Sequence, residues 1–116
     1  MFGINSPNGY ITVADGIKLK TINYGENIMM TEFILQKGFT LPEHSHKQEQ
    51  SGYLLKGKIK LHIDGDSREI SPGDSWNIPG NVRHKADIIE DSIVLEVFNP
   101  VREDYLRFIF EDDIKR

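Results

Sequence analysis

The sequence predicts an all-β fold, a sandwich or small barrel of short strands, and three observations predict it. β-Branched residues are abundant, with 15 Ile, 5 Val and 4 Thr against 2 Ala in 116 residues. Such side chains suit a pleated sheet and lose freedom in a helix. Turn residues recur at intervals of about 8–12 residues, the spacing of a sandwich or barrel. Where a run can be read residue by residue, apolar and polar side chains alternate with the period of a strand.

The elements follow in order. Candidate turns stand at Asp15-Gly16, Gly25-Glu26-Asn27, Lys37-Gly38, Lys56-Gly57, Asp64-Gly65, Ser71-Pro72-Gly73 and Pro79-Gly80. The clearest strand runs from Lys58 to Ile63, where Ile59, Leu61 and Ile63 alternate with Lys58, Lys60 and His62. Asp64-Gly65 then predicts a tight hairpin into Arg68 to Ile70. Ser92 to Phe98 reads as another strand, followed by Asn99-Pro100. Arg102 to Phe110 reads either as a short C-terminal helix, with Tyr105, Phe108 and Ile109 at helical spacing, or as a strand. Glu111, Asp112 and Asp113 read as a solvated tail. No repeat or linker interrupts the chain, and its length suits one domain over residues 1–116.

Composition narrows the function. Hydrophobic residues make up 38%, enough for a packed core, and 14 basic against 18 acidic residues give a net charge of −4. An acidic chain is a poor partner for nucleic acid or an anionic membrane. With no cysteine, thiol catalysis, disulfides, thiolate zinc sites and iron–sulfur clusters are excluded. No segment has the apolar length of a signal peptide or a membrane span, so a cytoplasmic protein is expected.

The histidines carry the chemistry. His44 and His46 form a His-x-His pair, and in a strand residues i and i+2 point to one side, so both imidazoles can grip one metal ion. Gln50 can add an oxygen donor, and His84, after the Pro79-Gly80 turn, a third nitrogen. Glu49 is an alternative to Gln50, since adjacent strand residues face opposite ways and only one can point inward. This donor set suits nickel, zinc, iron(II), manganese or copper. His62, between two lysines, reads as a solvent-facing residue.

Two separated segments then resemble the motifs of the cupin superfamily. Gly38-FTLPE-His44-Ser-His46-KQE-Gln50-SGYLLK-Gly57 is similar to the first motif, and Gly73-DSWNI-Pro79-GNVR-His84 to the second, which extends to residue 88. Gly80 stands one place early, and Ile88 stands where the pattern has asparagine. Over about residues 30–100 the resemblance implies a single-domain cupin β-barrel, a double-stranded β-helix or jelly roll. Decoys fall away. Gly52-YLLK-Gly57-Lys58 lacks the Ser or Thr of a phosphate-binding loop, and Asp64-Gly65-Asp66 has Arg68 at a calcium-ligand position.

HSHKQEQSGYLLKG and VLEVFNPVREDYL resemble, more closely, the small cupins known as pectin degradation proteins. Members of that family open the ring of 4,5-unsaturated uronates to the linear keto-uronate. The resemblance implies that His44, His46, Gln50 and His84 hold a divalent metal, with Glu96 standing where the family has a catalytic Asp. It implies that Phe98 is an aromatic of the pocket and Arg102 the residue that binds the substrate carboxylate and assists catalysis. Trp76 and Arg83 flank the second motif. A metal-dependent dioxygenase and a non-catalytic sugar-binding cupin are the competing functions.

The resemblance also implies an orientation. Glu96 and Phe98 share one face of their strand, and Ile93, Leu95 and Val97 the other. Periodicity alone favours the aliphatic face as core and Glu96 as a solvent carboxylate. The resemblance turns Glu96 inward, leaving an outward aliphatic stripe that a homodimer partner would cover. Taken alone, Arg102 reads as a surface ion-pair residue more often than as a ligand clamp, with Glu103 or Asp104 as its partner.

Overall fold

The computed structural model describes residues Met1–Lys115. Its strands are β1 (Phe2–Gly3), β2 (Ile11–Ala14), β3 (Ile17–Tyr24), β4 (Met29–Leu35), β5 (Thr40–His44), β6 (Glu49–Ile63), β7 (Asp66–Ile70), β8 (Ser75–Ile78), β9 (His84–Asn99) and β10 (Ile114–Lys115). The main sheet runs β2-β3-β4-β9-β6-β7, with β5 on β9 and β8 on β6, and β1 pairs with β10. These named strands pair antiparallel throughout.

The two long strands make the barrel. The start of β9 pairs with β5 and its end with β4. The start of β6 pairs with β8 and its end with β7. Between these halves the register of β6 on β9 shifts from Leu54 to Ile59. Such bulges bend and twist a strand, and here they roll the sheet onto itself. Gly57 sits at the bend with φ 97°, and a Cβ there would collide with Ser92 and the carbonyl of Asp91. Glycine meets both demands.

Alternation fills the interior. Ile17, Leu19, Phe33, Leu35, Leu54, Ile59, Leu61, Ile88 and Val94 are all buried. Burying one such side chain stabilises by about 1.5–3 kcal/mol. On β9, Val94, Glu96 and Phe98 point inward, while Ile93, Leu95 and Val97 lie half-buried on the outer face. This is the orientation implied by the resemblance; the aliphatic core of Ile93, Leu95 and Val97 favoured by periodicity does not form.

The Asp64-Gly65 hairpin forms as expected, with positive φ at both residues and Ile63 opposite Asp66, the geometry of a type I′ turn. The strands expected at Lys58–Ile63 and Ser92–Phe98 are the ends of β6 and β9. The segment at Arg102–Phe110 becomes a 3₁₀ helix, Glu103–Phe108, with Phe108 buried. Tyr105 is tied down through its carbonyl, which accepts from Thr21 Oγ1 at 2.9 Å.

The solvated tail is corrected at Asp113. Lys20 lies in the middle of β3 and is 3% exposed, so its ammonium needs a counter-charge. Asp113 Oδ2 supplies it at 2.7 Å and also accepts from Ser6 Oγ at 2.6 Å. Both ends of the chain are thereby pinned to β3. Among the described residues no helix is long and apolar enough to cross a membrane.

Candidate metal centre

Antiparallel pairing brings the histidines together. His44 ends β5 opposite His84, which begins β9. His46 lies just beyond β5. The ligand nitrogens of His44, His46 and His84 lie within 4.8 Å of one another. Each ring is oriented by a backbone carbonyl: Nδ1 of His44 meets Pro42 O at 2.9 Å, that of His46 meets Gln48 O at 2.9 Å, and that of His84 meets Val82 O at 2.8 Å. A carbonyl only accepts, so Nδ1 carries the proton and each Nε2 presents a lone pair inward.

Strand alternation decides the fourth position. Gln50 is 6% exposed. Glu49 faces outward, where its carboxylate accepts from Asn77 Nδ2 at 3.2 Å. Gln50 Nε2 donates to Glu96 Oε2 at 2.9 Å, and Trp76 Nε1 donates to Glu96 Oε1 at 3.1 Å. Burial pushes the Glu96 carboxyl up to about 8, against the pull of those two hydrogen bonds. Burial likewise lowers His84 to about 4, and burial followed by the charge of Arg102 lowers His46.

These residues fit a divalent cation. His46 Nε2 and Gln50 Oε1 are 2.7 Å apart. The amide N–H of Gln50 is committed to Glu96 and the Nδ1–H of His46 to Gln48, so two lone pairs face each other. Such a contact needs a proton or a cation between or beside the two atoms, and burial and Arg102 disfavour the proton. His84 Nε2 is buried and, among the described residues, without a hydrogen-bond partner. Three imidazole nitrogens and one amide oxygen are a donor set for zinc, nickel, iron(II) or manganese.

The cavity beside this cluster is lined by apolar side chains, Phe33, Leu61 and Val94 among them, and by the polar groups of His44, Glu96 and Arg102. Phe98 is 1% exposed and stands edge-on to His46, with centroids 5.6 Å apart. The Arg102 guanidinium lies 3.9 Å over the Tyr105 ring and 5.3 Å from that of Phe98. It also grips Asp104, with Nη2 on Oδ2 at 2.8 Å and Nε on Oδ1 at 3.3 Å. Arg102 therefore belongs both to the cavity and to the ion pair that its sequence neighbours suggested.

The structure thus gathers all the candidate residues: His44, His46, Gln50, His84, Glu96, Phe98 and Arg102. Arg83 turns away and pairs with Glu43 at 3.2 Å. His62 is elsewhere, bonded to Asp87 Oδ2 at 2.9 Å. Trp76 and Tyr105 also line the cavity. The signal for Trp76 is its place beside the second motif; for Tyr105 it is the helical spacing with Phe108 and Ile109, which gives a buried face but no role at the site.

Residues 31–99 match the cupin domain family. The pectin degradation protein KdgF of Dickeya dadantii is 30% identical over 96 residues, which cover 81% of this chain and 87% of that protein. The structure of KdgF from Halomonas sp. matches with a TM-score of 0.85 at 30% identity, over 90% of this chain and 96% of that one. An RmlC-like cupin from Shewanella frigidimarina matches with a TM-score of 0.85 at 25% identity, over 90% and 94% of the two chains.

Proposed function

This chain belongs to the cupin domain family, with KdgF pectin degradation protein among its relatives, and on that premise we propose that it is a cytoplasmic, metal-dependent enzyme that opens the ring of 4,5-unsaturated uronates. The observation that carries the proposal is the convergence of the ligand nitrogens of His44, His46 and His84 with Gln50 Oε1 beside a cavity that Glu96 and Arg102 also line.

The four donors hold the metal, which when bound supplies Lewis acidity toward an oxygen of the sugar. The amide of Gln50 adds no negative charge, so less of the cation's charge is cancelled than a carboxylate would cancel. Arg102 binds the substrate carboxylate through its planar fork, exchanging Asp104 for it. Phe98 and Tyr105 form an apolar wall that orients the ring and excludes water.

Ring opening removes the proton of the anomeric hydroxyl, breaks the bond between C1 and the ring oxygen, and leaves an aldehyde at C1 and an enol at C5. Moving a proton to C4 turns that enol into the ketone and consumes the conjugated double bond. Glu96 is the group in reach to accept and return that proton. Each of its oxygens accepts one hydrogen bond and keeps a further lone pair.

The outer face is read as the seat of a second copy. Tyr53 opposite Leu95 and Met30 opposite Val97 extend the aliphatic stripe across three strands, and Tyr53 and Leu55 are 43% and 48% exposed.

The test is the ultraviolet absorbance of unsaturated uronate monomer made by lyase digestion of pectin or alginate. Faster loss with metal-loaded protein than with chelator-stripped protein or buffer is expected. No acceleration by protein carrying metal would overturn the ring-opening function.

A further inference from the structure

We infer that Trp76 and Glu96 act as a positioning pair that fixes which end of the Gln50 side chain faces the histidines, and that Glu96 is the reason the oxygen donor at position 50 is an amide. The inference deepens the metal reading above and rests on it. Three features carry it.

First, the hydrogen bonds of the relay follow one another in a single direction. An indole N–H can only donate, and each oxygen of Glu96 lies against one donor. Trp76 Nε1 occupies Glu96 Oε1 at 3.1 Å, and Glu96 Oε2 takes the Gln50 N–H at 2.9 Å. The amide oxygen is then left for the histidine side, 2.7 Å from His46 Nε2. A reversed amide would turn its N–H₂ toward the histidine cluster and leave no amide oxygen there.

Second, the backbone is built for the relay. Gly52 on β6 lies opposite Trp76 on β8 and opposite Glu96 on β9. A Cβ on Gly52 would overlap the indole ring itself. The bare glycine lets the indole cross β6 and reach Glu96 on the far side.

Third, the residues at positions 50 and 96 answer each other. With Gln50→Glu alone, two buried carboxylates would face each other across a gap now bridged by an N–H. An amide at position 50 and a carboxylate at position 96 are therefore a matched set.

The test is competitive titration of the stripped protein with nickel or zinc against a chromophoric chelator, read as metal affinity and independent of any uronate. Gln50→Glu and Glu96→Gln are each expected to weaken binding by about 10–100-fold, the usual effect of losing an outer partner of a ligand. The double variant Gln50→Glu/Glu96→Gln restores a donor facing an acceptor and is expected to recover most of that loss. Trp76→Phe keeps one aromatic ring and removes the N–H with the rest of the indole, and is expected to weaken binding by roughly tenfold. If Gln50→Glu alone does not fold, folding and binding by the double variant is itself the expected rescue.

Losses that simply add in the double variant, or tighter binding by Gln50→Glu alone, would overturn the inference and leave the metal reading standing. Failure of the unsubstituted protein to bind either metal would overturn both.

Discussion

His44 closes β5 directly across from His84, the first residue of β9, with their ring centroids 4.2 Å apart. Two candidate ligands thus sit on paired strand ends rather than on separate loops, and each ring is fixed by its own backbone carbonyl. A site held in this way loses little freedom when a cation binds. Metal is therefore expected to raise the melting temperature, and free metal at 100 times its Kd adds about 2.7 kcal/mol to the unfolding free energy. His84→Ala should abolish that shift and reduce affinity beyond the roughly 10–100-fold typical of an outer partner. Thermal melts with and without chelator check this; an unchanged metal-induced shift in the variant would mean that the cation binds elsewhere.

Glu96→Gln separates proton transfer from metal retention when turnover is measured at saturating metal. The variant keeps the size of the side chain and loses the ability to take a proton. kcat on unsaturated uronate should fall by about 100-fold or more, the range of a lost general acid–base. Turnover within a few-fold of the unsubstituted protein would remove the proton role and leave Glu96 as a positioning residue.

Arg102 is stacked on Tyr105 and largely enclosed, with 13% of its side chain exposed. Lysine keeps the charge but not the planar fork or the stacking. Arg102→Lys should raise KM by roughly tenfold, the worth of one charge-assisted hydrogen bond, with a smaller change in kcat. Steady-state kinetics over a range of uronate concentrations separates the two. A fall in kcat with KM unchanged would place the arginine's effect in the transition state rather than in binding.

How much of this was legible in the sequence depended on the length scale of each signal. The candidate ligands were legible because two sequence motifs carry them: strand period says only that Gln50 and Glu49 face opposite ways, and the resemblance to the cupin motifs selects Gln50 and adds His84 after the Pro79-Gly80 turn. The face of Glu96 was not legible from periodicity, since Ile93, Leu95 and Val97 make a better core by composition than a face bearing a carboxylate. Only the Trp76 and Gln50 donors, brought from β8 and β6, make an inward Glu96 tolerable. Asp113 was misread for the same reason. Its partner Lys20 is 93 residues away in the chain, and no local pattern announces a pair at that separation.

The outer stripe of Ile93, Leu95 and Val97, extended by Met30, Tyr53 and Leu55, predicts association through this face. Light scattering should give the mass of a dimer for the unsubstituted protein. Leu55→Glu places a charge at a position 48% exposed in the lone chain, so it should leave the fold intact and shift the mass toward 13.3 kDa. A monomeric mass without any substitution would remove the dimer from the proposal.

Acid stability should carry the signature of the Lys20–Asp113 pair. The hydrogen bond from Lys20, followed by that from Ser6, holds the Asp113 carboxyl below its ordinary range, while in the unfolded chain it titrates near about 3.9. Over that window the unfolded state binds more protons, so stability rises with pH. The contribution is complete above the unfolded value and is lost as pH falls through the lower, folded one. Asp113→Asn removes the titrating group and leaves the buried Lys20 ammonium without its counter-charge. Its melting temperature should lie several degrees below that of the unsubstituted protein at pH 7 and remain so down to about pH 5. The gap should then narrow as the pH drops below about 4. Melts of both proteins across this range read the difference directly, and a gap that stays constant to pH 3 would mean that Asp113 does not stabilise the fold through its charge.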